Sequence, residues 1–133
     1  MAVTITPIFA GLLALAYAYL AMRVIVARRT MRVGLGDGGE KALLRSVRVH
    51  GNFVEYVPFV LILMMMGELL GAPAWLTFCI GGLLVAGRLV HAVGVSQEPE
   101  ITGSRTVGMA LTFTALLVAG LVDILLGLTG AMF

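Results

Sequence analysis

Four long apolar stretches fill almost the whole of this 133-residue chain, and they restrict its fold to one class. At a rise of ~1.5 Å per residue, a helix of about 20 residues crosses a hydrocarbon core of about 30 Å. Lipid offers no partner to a backbone N–H or C=O, so runs of this length cross it as helices. The spans are expected at about residues 3–28, 41–70, 74–95 and 104–132. That is one all-α integral membrane domain, an antiparallel four-helix bundle, with no room for a separate soluble domain. Composition points the same way. Charged residues make up 12% of the chain and hydrophobic ones 60%, whereas soluble domains carry about 25% charged residues. A soluble enzyme with a charged surface, a disordered tail and a nucleic-acid reader all need more charge than this. Cys79 is the single cysteine, which excludes an intrachain disulfide, and with only His50 and His91 beside it no metal–thiolate cluster is expected.

Breaks and charges organise the spans. Pro7 falls in the first turns of the first span, where proline is tolerated. The basic residues follow that span instead of preceding it, which marks a retained helix and not a cleaved signal peptide. Only Gly71, Ala72 and Pro73 separate the second and third spans, so these two form an antiparallel hairpin. All nine Lys and Arg (Arg23, Arg28, Arg29, Arg32, Lys41, Arg45, Arg48, Arg88, Arg105) belong to the segments joining spans one to two and three to four. The positive-inside rule then puts both joining segments in the cytoplasm, with both termini and the short hairpin on the other side. Attraction to anionic lipid, about 1 kcal/mol per cation near the surface, accounts for Arg23, Arg28, Arg29 and Arg32.

The second span carries something more specific. At ~100° per residue, Arg45, Arg48, Asn52, Glu55 and Tyr56 return to one face of the helix. Glu55 lies within Phe53, Val54, Val57, Phe59, Val60 and Leu61, where an acid costs at least ~2.5 kcal/mol at the bilayer centre. Something must compensate it. One reading is an ion pair with Arg48 or another arginine that only locks the bundle. The other is a pocket at the mouth of the bundle built from a cation, an amide, a carboxylate and a phenol.

The string Arg48-Val49-His50-Gly51-Asn52-Phe53-Val54-Glu55-Tyr56-Val57-Pro58 resembles the signature of the MAPEG family, the membrane-associated proteins in eicosanoid and glutathione metabolism. Arg28 and Arg29 closing the first span, Arg88 with His91 in the third, and Arg105 opening the fourth are similar to the family in the same order. The glycine-rich loop from Gly34 to Gly39 and the short length look like the small bacterial members, which implies the bacterial inner membrane. The resemblance implies a homotrimer with three glutathione sites between neighbouring subunits, open to the cytoplasm. It assigns Arg48, Asn52, Glu55 and Tyr56 to glutathione, Arg28 and His50 to contacts from the adjacent subunit, and Arg88 to the third helix's part of the site. Arg105 is implied to stabilise the thiolate, and Arg29 to be a second catalytic group.

Chemistry supports these assignments. Glutathione has two carboxylates and one ammonium, so its site needs guanidinium forks and a carboxylate, which Arg28, Arg48 and Glu55 supply. A free thiol has a pKa of about 8.5, and a neighbouring guanidinium in a poorly hydrated site favours the anion. Arg105 also stands where the positive end of the fourth helix adds to that effect. A lipophilic electrophile would arrive through the bilayer. The expected function is therefore a membrane glutathione transferase, with peroxidase activity toward lipid hydroperoxides as a variant. The alternative is a non-catalytic membrane protein that binds a thiol or an anionic lipid at the same basic mouth. Where studied transferases of the family have tyrosines on the third helix, this chain has His91 and, one turn on, Val95. His91 is either a replacement donor or an interfacial anchor. Glu98 and Glu100 would disfavour a second anionic substrate. A small multidrug exporter fits less well, since its glutamate would belong on the first helix.

Other features have structural readings. Gly34, Gly36 and Gly39 match G-x-G-x-x-G, but they follow a membrane helix and not a strand, so a loop is expected and no nucleotide site. Met64, Met65 and Met66 point around their helix, as lipid-facing residues or core filler. Gly67 with Gly71, and Gly82 with Ala86, have the spacing of close helix contacts. Trp75 is placed at the interface opposite the basic mouth. Asp123 lies deep in the fourth span with no cation at its depth. It is protonated, hydrogen-bonded across a subunit contact, or facing water.

Overall fold

A computed structural model describes residues 2–130, and four helices account for most of them. These are α1 (Thr6–Met31), α2 (Lys41–Leu70), α3 (Ala74–Ser96) and α4 (Thr102–Gly130). All four are long and apolar enough to span a membrane. Pro7 lies in the first turn of α1 and fixes its start at Thr6 instead of Val3. At the other end α1 continues past residue 28, because Arg28 and Arg29 sit favourably in its last turn, and it stops where Arg32 turns left-handed at φ 56°. The short turn after α2 closes on Gly71 at φ 93°, a conformation that favours glycine. The last residues expected in the fourth span, 131 and 132, lie outside the described residues.

The chain runs up and down through four antiparallel helices, with α2 touching all three others and α3 and α4 forming the closest pair. Phe9, Leu13, Phe53, Val57, Val60, Met64, Ile80, Leu84, Ala115 and Ala119 form the core. The outside is equally apolar. Leu15, Tyr19, Phe78, Leu117 and Leu125 are exposed, as suits a surface solvated by lipid and not by water.

Small residues set the α3–α4 spacing, although not the ones that the sequence pattern singles out. Gly82 and Ala86 are exposed, and a Cβ on Gly82 would meet nothing. The contact instead uses Gly87, Gly94 and Gly108, where a Cβ would run into the backbone of the partner helix. Gly108, for example, faces the backbone of His91. A seven-residue stripe, Gly87 to Gly94, therefore replaces the four-residue one expected. Gly67 does pack closely, against Val122 and Asp123 of α4.

The start of α1 has no capping side chain of its own. Glu68, near the end of α2 and only 7% exposed, supplies one from across the bundle. Its carboxylate accepts the backbone N–H groups of Thr4 at 2.9 Å, Ile5 at 2.9 Å and Thr6 at 2.7 Å. Orphan amides, the positive end of the helix dipole and a buried carboxylate thus satisfy one another. Replacing Glu68 by Ala is expected to lower stability in detergent by about 2 to 3 kcal/mol, the scale of hydrogen bonds to a charged group. Glu68→Gln should lose less. Thermal unfolding of the two variants beside wild type checks this order.

Candidate functional site

The first turns of α2, the last turns of α3 and the first turn of α4 meet at the arginine-rich end of the bundle. Between them lies a cavity of about 360 Å³. Of the residues singled out by sequence, Arg48, Asn52, His91 and Arg105 line it, and Lys41, Leu44, Arg45, Val95 and Glu100 complete the wall. Four cations thus face one lining carboxylate.

That carboxylate is engaged. Glu100 Oε1 accepts from Arg105 Nη1 at 2.9 Å, and its other oxygen lies 3.9 Å from Arg45 Nη1. Glu98, one turn of loop away, lies 3.9 Å from Lys41 and 4.0 Å from Arg45. The Glu98–Lys41 pair is open to solvent and contributes little. Arg45 Nη1 also donates to the Val95 carbonyl at 3.4 Å, which fixes α2 to the end of α3. The loop preceding α4 is held in turn by Ile101 N–H donating to Gly94 O at 3.1 Å.

Arg88 stands behind the cavity and is 3% exposed. Its Nε donates to Thr112 Oγ1 at 3.0 Å and its Nη2 donates to the same oxygen. Nη1 donates to Asn52 Oδ1, Nη2 approaches Met109 Sδ at 3.5 Å, and the guanidinium lies 5.6 Å from the centre of the Tyr56 ring. Every partner is neutral. Since Asn52 Oδ1 is taken by Arg88, the donor end of its amide is left for the cavity. Tyr56 packs edge-on to Phe113 at 5.5 Å and serves the wall behind the site. His91 is 5% exposed, lines the cavity and packs against Gly108.

The remaining candidates stand elsewhere in the chain. Glu55 is exposed and makes no ion pair among the described residues. It lies seven positions from Arg48, about 10.5 Å along the helix, and the ion pair with Arg48 or another arginine, one of its two readings, is not formed among the described residues. Arg28 Nη1 donates to Gly36 O at 2.8 Å and straps the α1–α2 loop. Arg29 is exposed on the last turn of α1. His50 stacks on Tyr17 with ring centroids 5.2 Å apart. None of these four lines the cavity.

On the far side of Arg88 an apolar groove of about 510 Å³ runs between α1 and α3. Leu12, Ala16, Leu20, Val85, Leu89 and Ala92 line it, and Arg23, bonded to Ser96 Oγ at 3.0 Å, closes one end. Arg88 lines this groove while its partner Asn52 lines the polar cavity. The two spaces are therefore back to back, with the Arg88–Asn52 hydrogen bond in the partition.

Sequence reasoning assigns none of Lys41, Arg45 and Thr112 to the site, and gives Glu100 only the part of disfavouring a second anionic substrate. Arg45 was within reach of it, being one turn before Arg48 on the same face. Glu100 and Thr112 were not, since loop conformation and helix pairing bring them in. Because Thr112 Oγ1 takes two N–H groups of a buried guanidinium, Thr112→Val is expected to cost about 1 to 3 kcal/mol. Thr114→Val, at an exposed hydroxyl that bonds only Ala110 O of its own helix, should be close to neutral. Unfolding of both variants in the same detergent measures the difference.

Over 120 residues the chain is 36% identical to Inner membrane protein YecN of Escherichia coli (strain K12), and the match covers 90% of each protein. The protein of the same name from a second Escherichia coli strain matches to the same extent. The profile of the MAPEG family matches residues 6–124, from the first turn of α1 to the last third of α4. This membrane protein belongs to the MAPEG family.

Proposed function

We propose that the protein is a membrane-embedded glutathione transferase that uses glutathione as cosubstrate and presents its thiolate to a lipophilic electrophile. The observation that carries this reading is the convergence of Arg48, Asn52, His91 and Arg105, from three helices, on one cavity. Its cations suit the two carboxylates of the tripeptide, and the free donor end of Asn52 suits a peptide carbonyl. Arg105 lies in the first turn of α4, where guanidinium and helix dipole act together on the sulfur. In the reaction the thiol proton leaves to water, the sulfur forms a bond to the electrophilic carbon, and the leaving group departs with its electron pair. With a lipid hydroperoxide as acceptor the same thiolate would act as a peroxidase nucleophile. The groove between α1 and α3 offers an apolar compartment next to the polar one.

A homotrimer belongs to this proposal. Glu55 is exposed on a helix long and apolar enough to span a membrane, and a second copy would give it a partner while bringing Arg28, Arg29 and His50 toward a site at the subunit boundary. The site would face the cytoplasm of a bacterium, with both termini across the inner membrane.

One observation favours a second reading, a non-catalytic protein binding a thiol or an anionic lipid. Val95 and His91 occupy the cavity wall, and no tyrosine does. The two readings separate on adding glutathione to the purified protein. The transferase predicts a thiolate ultraviolet absorbance that Arg105→Ala abolishes while glutathione still binds. It also predicts that Arg48→Ala weakens binding itself by about 1.5 to 3 kcal/mol. Wild-type protein that binds glutathione but shows no thiolate signal and conjugates no hydrophobic aryl halide is a binder.

A further inference from the structure

We infer that Glu100 is a positioning residue that holds Arg105 ready in the empty site and then opposes the thiolate for it, so that Glu100 sets the pH at which the bound thiol ionises. The inference rests on the glutathione reading of the cavity and concerns how that site is regulated. Among the described residues Arg105 has one contact with an acid, the 2.9 Å bond from Nη1 to Glu100 Oε1. The acid is the less exposed partner, at 28% against 58% for the arginine side chain. It is also anchored, because its other oxygen lies 3.9 Å from Arg45 and the backbone after it is tied to Gly94.

The groups that face this carboxylate come from every side. Lys41, Arg45 and Arg48 line the cavity from α2, His91 from α3 and Arg105 from α4, while Glu98 lies beside it on the loop. Against four cations, Glu100 leaves the cavity attractive to an anion. The guanidinium proposed to meet the sulfur, however, is already paired with a carboxylate. A guanidinium has five N–H groups, so the thiolate can use those that Glu100 leaves free. Two anions then share one cation, and the second is disfavoured by the first. Exchanging the carboxylate for an amide keeps an acceptor for Arg105 and removes the competing charge.

The test uses the full-length protein in detergent with two probes. S-methylglutathione, which has no thiol, reports tripeptide binding by calorimetry, and glutathione reports thiolate by absorbance against pH. For Glu100→Gln the analogue should bind within a few-fold of wild type. The midpoint of thiolate absorbance should move to lower pH by about one unit, a tenfold rise in the thiolate-to-thiol ratio. Glu98→Gln, which removes an acid near Lys41 and Arg45 that does not touch Arg105, should shift it by much less. An unmoved midpoint in Glu100→Gln, with the analogue bound, overturns the inference and leaves the glutathione site standing. Equal shifts in the two variants also overturn it, since bulk charge would then be the cause. Loss of analogue binding in Glu100→Gln alone would make the carboxylate a binding group instead. Failure of wild type to bind the analogue defeats the site reading, and this inference with it.

Discussion

A guanidinium enclosed among helices in a membrane protein has to find an acceptor for its N–H groups before any other part of the site can be placed. Arg88 does so with an amide, a hydroxyl, a thioether and the face of a phenol, drawn from α2 and α4. A carboxylate partner would have satisfied it more simply, but would also have cancelled its charge. Neutral acceptors leave a net positive centre behind a cavity already lined by four cations, in surroundings where charge is poorly screened. The same bonds fix the register of three helices. Asn52 is held by its oxygen, so its amide direction is set, and Thr112 is drawn against Gly108 of its own helix by a 2.8 Å bond. Close approach of α3 to α4 at Gly87 and Gly108 is what lets Arg88 reach that hydroxyl.

How much of this could be read from the sequence depends on whether the signal is local. Hydropathy gives the four spans, because a bilayer demands long apolar helices whatever the tertiary packing. Periodicity on one helix gives Arg48 and Asn52 as neighbours, because positions four apart share a face by geometry alone. The resemblance to the family adds His91 and Arg105. What fails is what depends on how helices rotate against one another. Glu55 shares its sequence stripe with Arg48 yet turns out of the protomer. Gly82 and Ala86 have the right spacing for a helix contact, but α3 presents Gly87 and Gly94 instead. Glu68 is the plainest case. Nothing near it in sequence reveals that an acid at the end of α2 caps α1, more than sixty residues away.

The acids of the spans illustrate one rule with different outcomes. An ionised carboxylate in an apolar setting needs donors or cations. Glu68 finds three backbone donors at once and becomes part of the fold. Asp123 is packed against Gly67 with both oxygens buried and unpartnered in the protomer. Among the described residues no group compensates it. Glu55 is exposed and unpaired among the described residues, and under the proposed function a second copy would supply its partner.

Under the proposed function the position of Arg88 also explains why the chemistry needs a membrane protein. A charged tripeptide and a lipophilic acceptor do not share a solvent, so a catalyst for both must border water and lipid within one reaction distance. Here a cavity lined by cations and a groove lined largely by leucine, alanine and valine are joined through two bonded side chains, Arg88 lining the groove and Asn52 the cavity. A purely apolar partition would pack as well but would carry no charge to the thiol side. A carboxylate-paired one would carry none in net terms. An arginine satisfied by neutral groups meets both demands, and it needs the glycine-spaced α3–α4 contact to put Thr112 within its reach.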